Sequence, residues 1–301
     1  MISITIQAQQ LSDFIGMELN IKQSLLIGSY GEYRKSLLTG KGWLEIDNCG
    51  NKIVEKIPYN EMTLNQNNGY FEFMFKDRSF SIVPGEIYFD YFPNVHSEYK
   101  INMIELARTD PEKYKQAFEE NYSIIALFSR PAVISSSSVY REESNGKNII
   151  YDGSLLWNQL FVVRHHIDMS SYLNEQIISW VEGVDGPGIG EWIQLDMTIP
   201  ESEVYVLNGF VDETRTHLYK QNSRIKNAKV IALTPKGKEL IQHIEFKDFV
   251  YYKTIAFSEP VKSVRLIIES VYPGSKWQDT AVSGFVATPI YKNYYSEIEL
   301  Q

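Results

Sequence analysis

The chain has 301 residues, 44% of them apolar, with 20 Tyr, 15 Phe and a formal net charge of −9. That length holds one large domain or two ordinary ones with buried cores, and the acidic balance excludes the basic face that a phosphate-backbone partner requires, so no nucleic acid is expected. No stretch reaches the roughly 20 apolar residues of a membrane-spanning helix, and the N-terminus lacks a basic region followed by a long apolar core.

Aromatic residues sit among Val, Ile and Thr in short runs punctuated by Gly, Asn and Pro, which predicts an all-β chain with little helix. Residues 2–6 read as a first strand, and 43–47 with 52–57 as a hairpin across Asn48-Cys49-Gly50-Asn51. Cys49, the single cysteine, cannot form an internal disulfide and falls in this turn without a neighbouring base, so it reads as incidental rather than nucleophilic. A second hairpin is expected from 70–75 and 80–83 around Lys76-Asp77-Arg78-Ser79, followed by an aromatic-rich strand at 86–92. One helix is predicted over 109–121, where Thr109-Asp110-Pro111-Glu112 supplies a capping box with Pro in the first turn. Tyr114, Ala117, Phe118 and Tyr122 form its apolar stripe, which suits a helix lying on a sheet.

The texture changes at Ser129-Arg130-Pro131. A boundary there gives a smaller β-rich domain over 1–128, a strand-built domain over 129–290 and a tail over 291–301. Strands at 191–197, 203–210, 228–233, 241–246, 251–257 and 264–271, with no helices between them, point to a sandwich. The segment Ser179-Trp180-Val181-Glu182-Gly183-Val184-Asp185-Gly186-Pro187-Gly188-Ile189-Gly190-Glu191-Trp192 concentrates aromatic, acidic and glycine positions in one loop. Its glycines fall as G-x-G-x-G before a strand, whereas a phosphate cradle needs G-x-G-x-x-G before a helix, so it reads as a recognition loop and not a dinucleotide site.

Together with Leu207-Asn208-Gly209-Phe210, the run from Leu218 to Lys226 and the run from Val271 to Ser283, this loop resembles the discoidin-like (galactose-binding-like, F5/8 type C-like) jelly-roll domain. That module occurs as the translocation domain of a streptococcal NAD-glycohydrolase toxin and in bacterial surface proteins. The resemblance spans roughly 131–290 and leaves the N-terminal half unassigned. It implies a β-sandwich whose end loops form a binding surface, commonly for carbohydrate. Nothing in the chain matches the toxin's catalytic domain. A long insertion between Ser138 and Tyr172, containing Asp152-Gly153-Ser154-Leu155-Leu156-Trp157, departs from the family pattern. The family also implies a structural calcium at the position of 173–179. Here Leu173-Asn174-Glu175-Gln176-Ile177-Ile178-Ser179 offers one carboxylate where two are expected, and calcium takes six to eight oxygen ligands, so that site is weakened and no cofactor or metal is expected.

The residues support a binding surface on their own chemistry. A sugar ring presents apolar C–H faces and rigid hydroxyl pairs, which call for an aromatic platform beside planar amide, carboxylate or guanidinium groups. Trp180, Tyr219, Tyr272 and Trp277 are the candidate platforms, and Glu182, Asp185, Asn208, Asn222, Arg224 and Asp279 the candidate hydrogen-bonding partners. Tyr272-Pro273-Gly274-Ser275 is a turn signal that would present Lys276, Trp277 and Asp279 at a loop tip. The alternative is internal: Trp180 and Trp192 as core residues, and Glu182 with Arg224 as an ion pair fixing the loops.

Catalysis is the competing class. Arg164-His165-His166-Ile167-Asp168 would put His166 and Asp168 on one strand face, but a metal needs a further ligand and His96, His217 and His243 show no recognisable spacing. No Gly-x-Ser-x-Gly elbow is present, and adjacent pairs such as Glu142-Glu143 diverge. The expectation is a non-enzymatic secreted or envelope protein, with no signal peptide present in this sequence, that meets a glycan or a cell-surface protein through the jelly-roll loops. A protein-interaction or structural module without sugar binding is the second reading.

Overall fold

The computed structural model describes residues 2–5, 14, 18–22, 34–38, 41–48, 53–76, 78–81, 110, 113, 132–144, 146–154, 156–157, 179–212 and 215–287. Two compact units are present, one of Met1–Pro93 with Phe249–Tyr251 and the other of Asn94–Asp248 with Tyr252–Gln301. The boundary expected at 129, the strand expected at 86–92, Cys49 and the tail at 291–301 lie outside the described residues.

The first unit is an eight-stranded sheet built from β1 (Ile2–Thr5), β2 (Glu18–Lys22), β3 (Arg34–Leu38), β4 (Trp43–Asn48), β5 (Ile53–Pro58), β6 (Thr63–Asn67), β7 (Tyr70–Phe75) and β8 (Arg78–Ser81), in the order β1-β6-β7-β8-β2-β3-β4-β5. Cross-strand apolar pairs hold it: Leu44 faces Ile57 and Phe73 faces Phe80, and all four side chains are almost fully buried. The expected β4–β5 hairpin is present, and the β7–β8 turn is tighter than expected, with Phe75 directly paired to Arg78. Strand β6 has no counterpart in the sequence reading. It joins β7 through Asn68 and Gly69, both at positive φ (50° and 90°), the backbone that a two-residue hairpin loop requires. Of the helix expected at 109–121, only Asp110 and Lys113 are described. Asp110 Oδ1 accepts the Lys113 backbone N–H at 3.1 Å, the kind of bond that a helix N-cap makes.

In the second unit β9 (Ala132–Ser136), β12 (Trp180–Val181), β13 (Trp192–Asn208), β14 (Arg224–Leu233), β15 (Glu239–Glu245), β16 (Tyr252–Tyr272) and β17 (Ala281–Val286) join in the order β12-β17-β13-β16-β14-β15, with β9 on β13. A separate hairpin pairs β10 (Arg141–Ser144) with β11 (Lys147–Ile150). The pairs expected as separate strands, 191–197 with 203–210 and 251–257 with 264–271, are each one continuous strand. Their ladder shifts register between Asp196, Glu201 and Glu203, beside Pro200 and Pro260, which cannot donate to it. There the β13–β16 ribbon turns a corner and divides between two layers. Its first arm (Trp192–Asp196 with Ser263–Ile267) carries β9 on one side and β14–β15 on the other; its second arm (Glu203–Leu207 with Tyr252–Ala256) carries β17 and β12.

Alternation along the first arm buries Ile193, Leu195, Val264, Leu266, Val230 and Ala232 completely or almost so, while Gln194, Asp196 and Arg265 face outward. In the second layer every residue of β17 is buried, as are Val204 to Asn208. This is a jelly-roll β-sandwich. Because the ribbon folds over at its corner, Trp192 and Asn208, the two ends of β13, arrive at the same end of the sandwich: Trp192 O accepts from Ser137 N, and Asn208 pairs with Val282.

Candidate functional site

Loops leaving β9, β12, β13 and β16 meet at that end. The α1 helix (His217–Gln221) carries the loop after β13 back towards β14, and the 273–280 loop closes onto its C-terminus. Ser275 N donates to Lys220 O (3.0 Å), Trp277 N to Gln221 O (2.9 Å), Ser223 N to Asp279 O (3.0 Å) and Gly274 N to Ser223 Oγ (3.1 Å). Gly274 is required here because a Cβ would lie 2.1 Å from Trp277 O.

Glu182 ties the recognition loop to the same surface. Its side chain is fully buried; Oε2 accepts the Val184 N–H at 2.9 Å and Oε1 the Thr280 N–H at 3.2 Å. Thr280 Oγ1 in turn donates to Pro187 O at 2.9 Å. Burial raises the carboxyl above its ordinary range, opposed by the two N–H donors and reinforced by the charges of Asp279 and Glu191. Gly188, at φ +67°, lies against this carboxylate, where a Cβ would come within 2.5 Å of Glu182 Cγ.

Arg224 does the same work for the neighbouring loops. Its Nε and Nη2 reach Asp248 Oδ1 at 3.0 and 2.8 Å, and Nη1 donates to Asn222 O at 2.8 Å and Pro273 O at 3.3 Å. The guanidinium lies 5.4 Å from the centroid of the fully buried Tyr219 ring. Asn208 makes a two-way bridge to Ile225, accepting its N–H at 3.0 Å and donating to its carbonyl at 2.8 Å, while Asn222 Nδ2 donates to Leu218 O and closes α1.

The structure therefore gathers the sequence-predicted residues at one end but divides their roles. Trp180, Glu182, Asn208, Asn222 and Arg224 are buried and hydrogen-bonded internally, and Tyr219 is fully buried, so these six build the rim instead of facing a ligand. Trp180 is a core residue whose Nε1–H donates to Ser138 O at 2.9 Å. The Glu182–Arg224 pair does not form: the carboxylate turns to backbone N–H groups and the guanidinium to Asp248. Tyr272 is partly exposed, but its hydroxyl donates to Phe246 O at 2.9 Å.

Asp185, Trp277 and Asp279 remain accessible. Asp185 is exposed; Trp277 is half-buried with Lys276 Nζ 4.2 Å from its ring centroid; burial raises the Asp279 carboxyl. Val184 and Ile189 stand out from the same loop, 40% and 55% exposed.

A second aromatic group was not among the sequence candidates. Tyr140 and Tyr151 flank the β10–β11 hairpin with ring centroids 5.8 Å apart, and Phe210 lies 6.2 Å from Tyr151. Tyr151 Oη donates to Glu142 at 2.6 Å; burial, then this carboxylate, raises the phenol's pKa. Nearby, Arg215 pairs with the buried Asp212 at 2.7 Å. The group adjoins the rim because Tyr140 N donates to Val181 O and Val181 N to Tyr151 O. The β10–β11 register, with Arg141 opposite Ile150 and Tyr151 N donating to Tyr140 O, places the two tyrosines opposite each other.

His165, His166 and Asp168, and the calcium-related residues 173–178, lie outside the described residues. Among the described residues no group of His, Cys, Asp and Glu converges as a metal site, and no helix is long and apolar enough to cross a membrane.

Residues 158–287 match the model of the NAD glycohydrolase translocation F5/8 type C domain. No curated protein matches the chain. Among solved structures, similarity is found to the family 32 carbohydrate-binding module of Clostridium perfringens NanJ in complex with galactose, at 12% identity over 51% of this chain and 90% of that one, TM-score 0.30. The lectin domain of lectinolysin complexed with Lewis B antigen is similar at 13% identity over 53% and 94%, TM-score 0.32. An F5/8 type C domain from Bacteroides fragilis is similar at 11% identity over 52% and 93%, TM-score 0.31. The strand arrangement and the family match agree on a discoidin-like jelly roll.

Proposed function

We propose that the jelly-roll unit, taken as 129–290, is a non-catalytic module of a secreted or envelope protein that binds carbohydrate through its loop rim. The observation that carries this reading is the meeting of accessible aromatic faces with ionisable side chains on one internally braced surface: Trp277 beside Lys276 and Asp279, Asp185 on the adjoining loop, and Tyr140 next to the same backbone. Aromatic faces take the C–H side of a pyranose, while carboxylates and amines take its hydroxyl pairs. Buried Glu182 and Arg224 fix the loops in advance, which lowers the ordering cost of binding. Partly exposed Tyr272, together with Asn208 and the other buried candidates, acts as a positioning residue. The test is a broad glycan array with the full chain, followed by titration of any hit into the Trp277→Ala and Tyr140→Ala variants; a silent array would remove the proposal.

A second reading, contact with a cell-surface protein, draws on exposed Val184 and Ile189 and on the family model's description as a translocation domain. Pull-down against native surface extracts, with Ile189→Asp as the disrupting variant, distinguishes it from sugar binding.

A further inference from the structure

The outward face of the layer made by β9, β13, β16, β14 and β15 carries polar chemistry that the rim does not use. Gln194 and Arg265 are directly paired across β13 and β16, so they share that face with Trp192 and Asp196, two residues away along β13 on either side. The Arg265 guanidinium stacks 4.0 Å from the Trp192 ring centroid, and Nε donates to Gln194 Oε1 at 2.8 Å. Gln194 Nε2 then donates to both oxygens of Asp196, at 2.8 and 2.9 Å. The amide spaces the two charges apart, where a purely structural cross-strand pair would bring them together. Consequently Arg265 Nη1 and Nη2, and the Trp192 Nε1–H, have no hydrogen-bond partner among the described residues. Val133, paired with Asp196, and Ile241, paired through Ile231 with Arg265, flank this group on the same face and are 52% and 54% exposed.

We infer that this sheet face is a second binding surface, for a carboxylate-bearing saccharide. Its open guanidinium fork, held flat by Trp192 and Gln194, matches a carboxylate in two parallel hydrogen bonds. Asp196 has lone pairs left for sugar hydroxyls, and Val133 and Ile241 offer apolar contact to ring C–H groups. The chain is acidic overall, so general electrostatic attraction does not favour an anion here and recognition must come from the fork itself.

The probes are sialyllactose and neutral lactose, titrated into the full chain by NMR, with wild type, Arg265→Lys and Trp277→Ala compared. Lysine keeps the charge and loses the fork. Sialyllactose is expected to bind wild type at least about fivefold more tightly than lactose and to lose about tenfold in Arg265→Lys, as befits a bidentate charge-assisted contact, while thermal stability and the lactose response stay unchanged. Equal affinity for the two sugars, no binding of sialyllactose, or an unaltered sialyllactose affinity in Arg265→Lys would overturn the inference. Its failure is separable from that of the rim, because lactose binding is read through Trp277→Ala.

Discussion

Glu182 and Thr280, 98 residues apart in sequence, bind each other twice: Glu182 N donates to Thr280 O at 3.1 Å, and Thr280 N donates to the Glu182 carboxylate at 3.2 Å. One bond continues the ladder between β12 and β17; the other belongs to a buried side chain. The rim's shape depends on this pairing.

Replacing Glu182 by Ala would leave the Thr280 and Val184 N–H groups without their acceptor and open a space against Gly188. A loss of about 2–4 kcal/mol is expected from two unsatisfied donors, with faster amide exchange over 183–190 and 273–280. Glu182→Gln, which retains one acceptor, should lose less. Denaturant unfolding with exchange measurements checks both, and unchanged exchange in these loops would deny Glu182 its bracing role.

The same carboxylate gives a pH signature. Burial, chiefly, lifts its pKa above the ordinary 4.5, so between those two values the folded state holds more proton than the unfolded one. Stability contributed by the protonated form is therefore lost as pH rises through that interval, and the curve levels above it. Asp279, raised by burial from 3.8, acts in the same sense. Glu182→Gln is expected to flatten this descending limb in urea unfolding followed between about pH 4 and about pH 8; parallel curves for variant and wild type would contradict it.

Gly188 and Gly190 both adopt positive φ, +67° and +91°, but only Gly188 has a side chain against it. Gly190→Ala should cost about 1–2 kcal/mol for the left-handed backbone alone. Gly188→Ala adds the clash with Glu182, about 1–3 kcal/mol more by the scale of overpacking. Melting curves of the two variants measure the difference directly, and equal losses would show that the Glu182 contact is soft.

Arg224→Lys tests whether the buried guanidinium is a clamp. Lysine cannot serve Asp248, Asn222 and Pro273 at once, and a loss of about 2–3 kcal/mol is expected, less than for a fully buried pair because Asp248 is one-third exposed. A near-neutral result would mean that Lys220, which also reaches Asp248 at 2.8 Å, holds the loops unaided.

The sequence carried the sandwich because period-2 patterns such as Trp192 to Met197 are local. It also carried the position of the rim, since Gly- and Pro-marked loops must sit at strand ends. Strand β6 and the β10–β11 hairpin went unread although Asn68-Gly69 and Asn145-Gly146 announce them, and with the second hairpin went Tyr140 and Tyr151. The continuity of β13 was not legible, because Pro200 reads as a break and only the tertiary ribbon carries the ladder past it. Burial was the main error at the site. Trp180, Tyr219 and Arg224 are residue types that suit a ligand equally well, and their partners Ser138, Gly209 and Asp248 lie elsewhere in the chain.

The most direct measurement is a titration of neutral galactose- and glucose-containing disaccharides into the full chain, followed by tryptophan emission, with Trp277→Ala alongside. Saccharide binding at the rim requires a saturable change in wild type that disappears in a variant with unaltered melting temperature. A flat response across the panel, or the same response without Trp277, would contradict it.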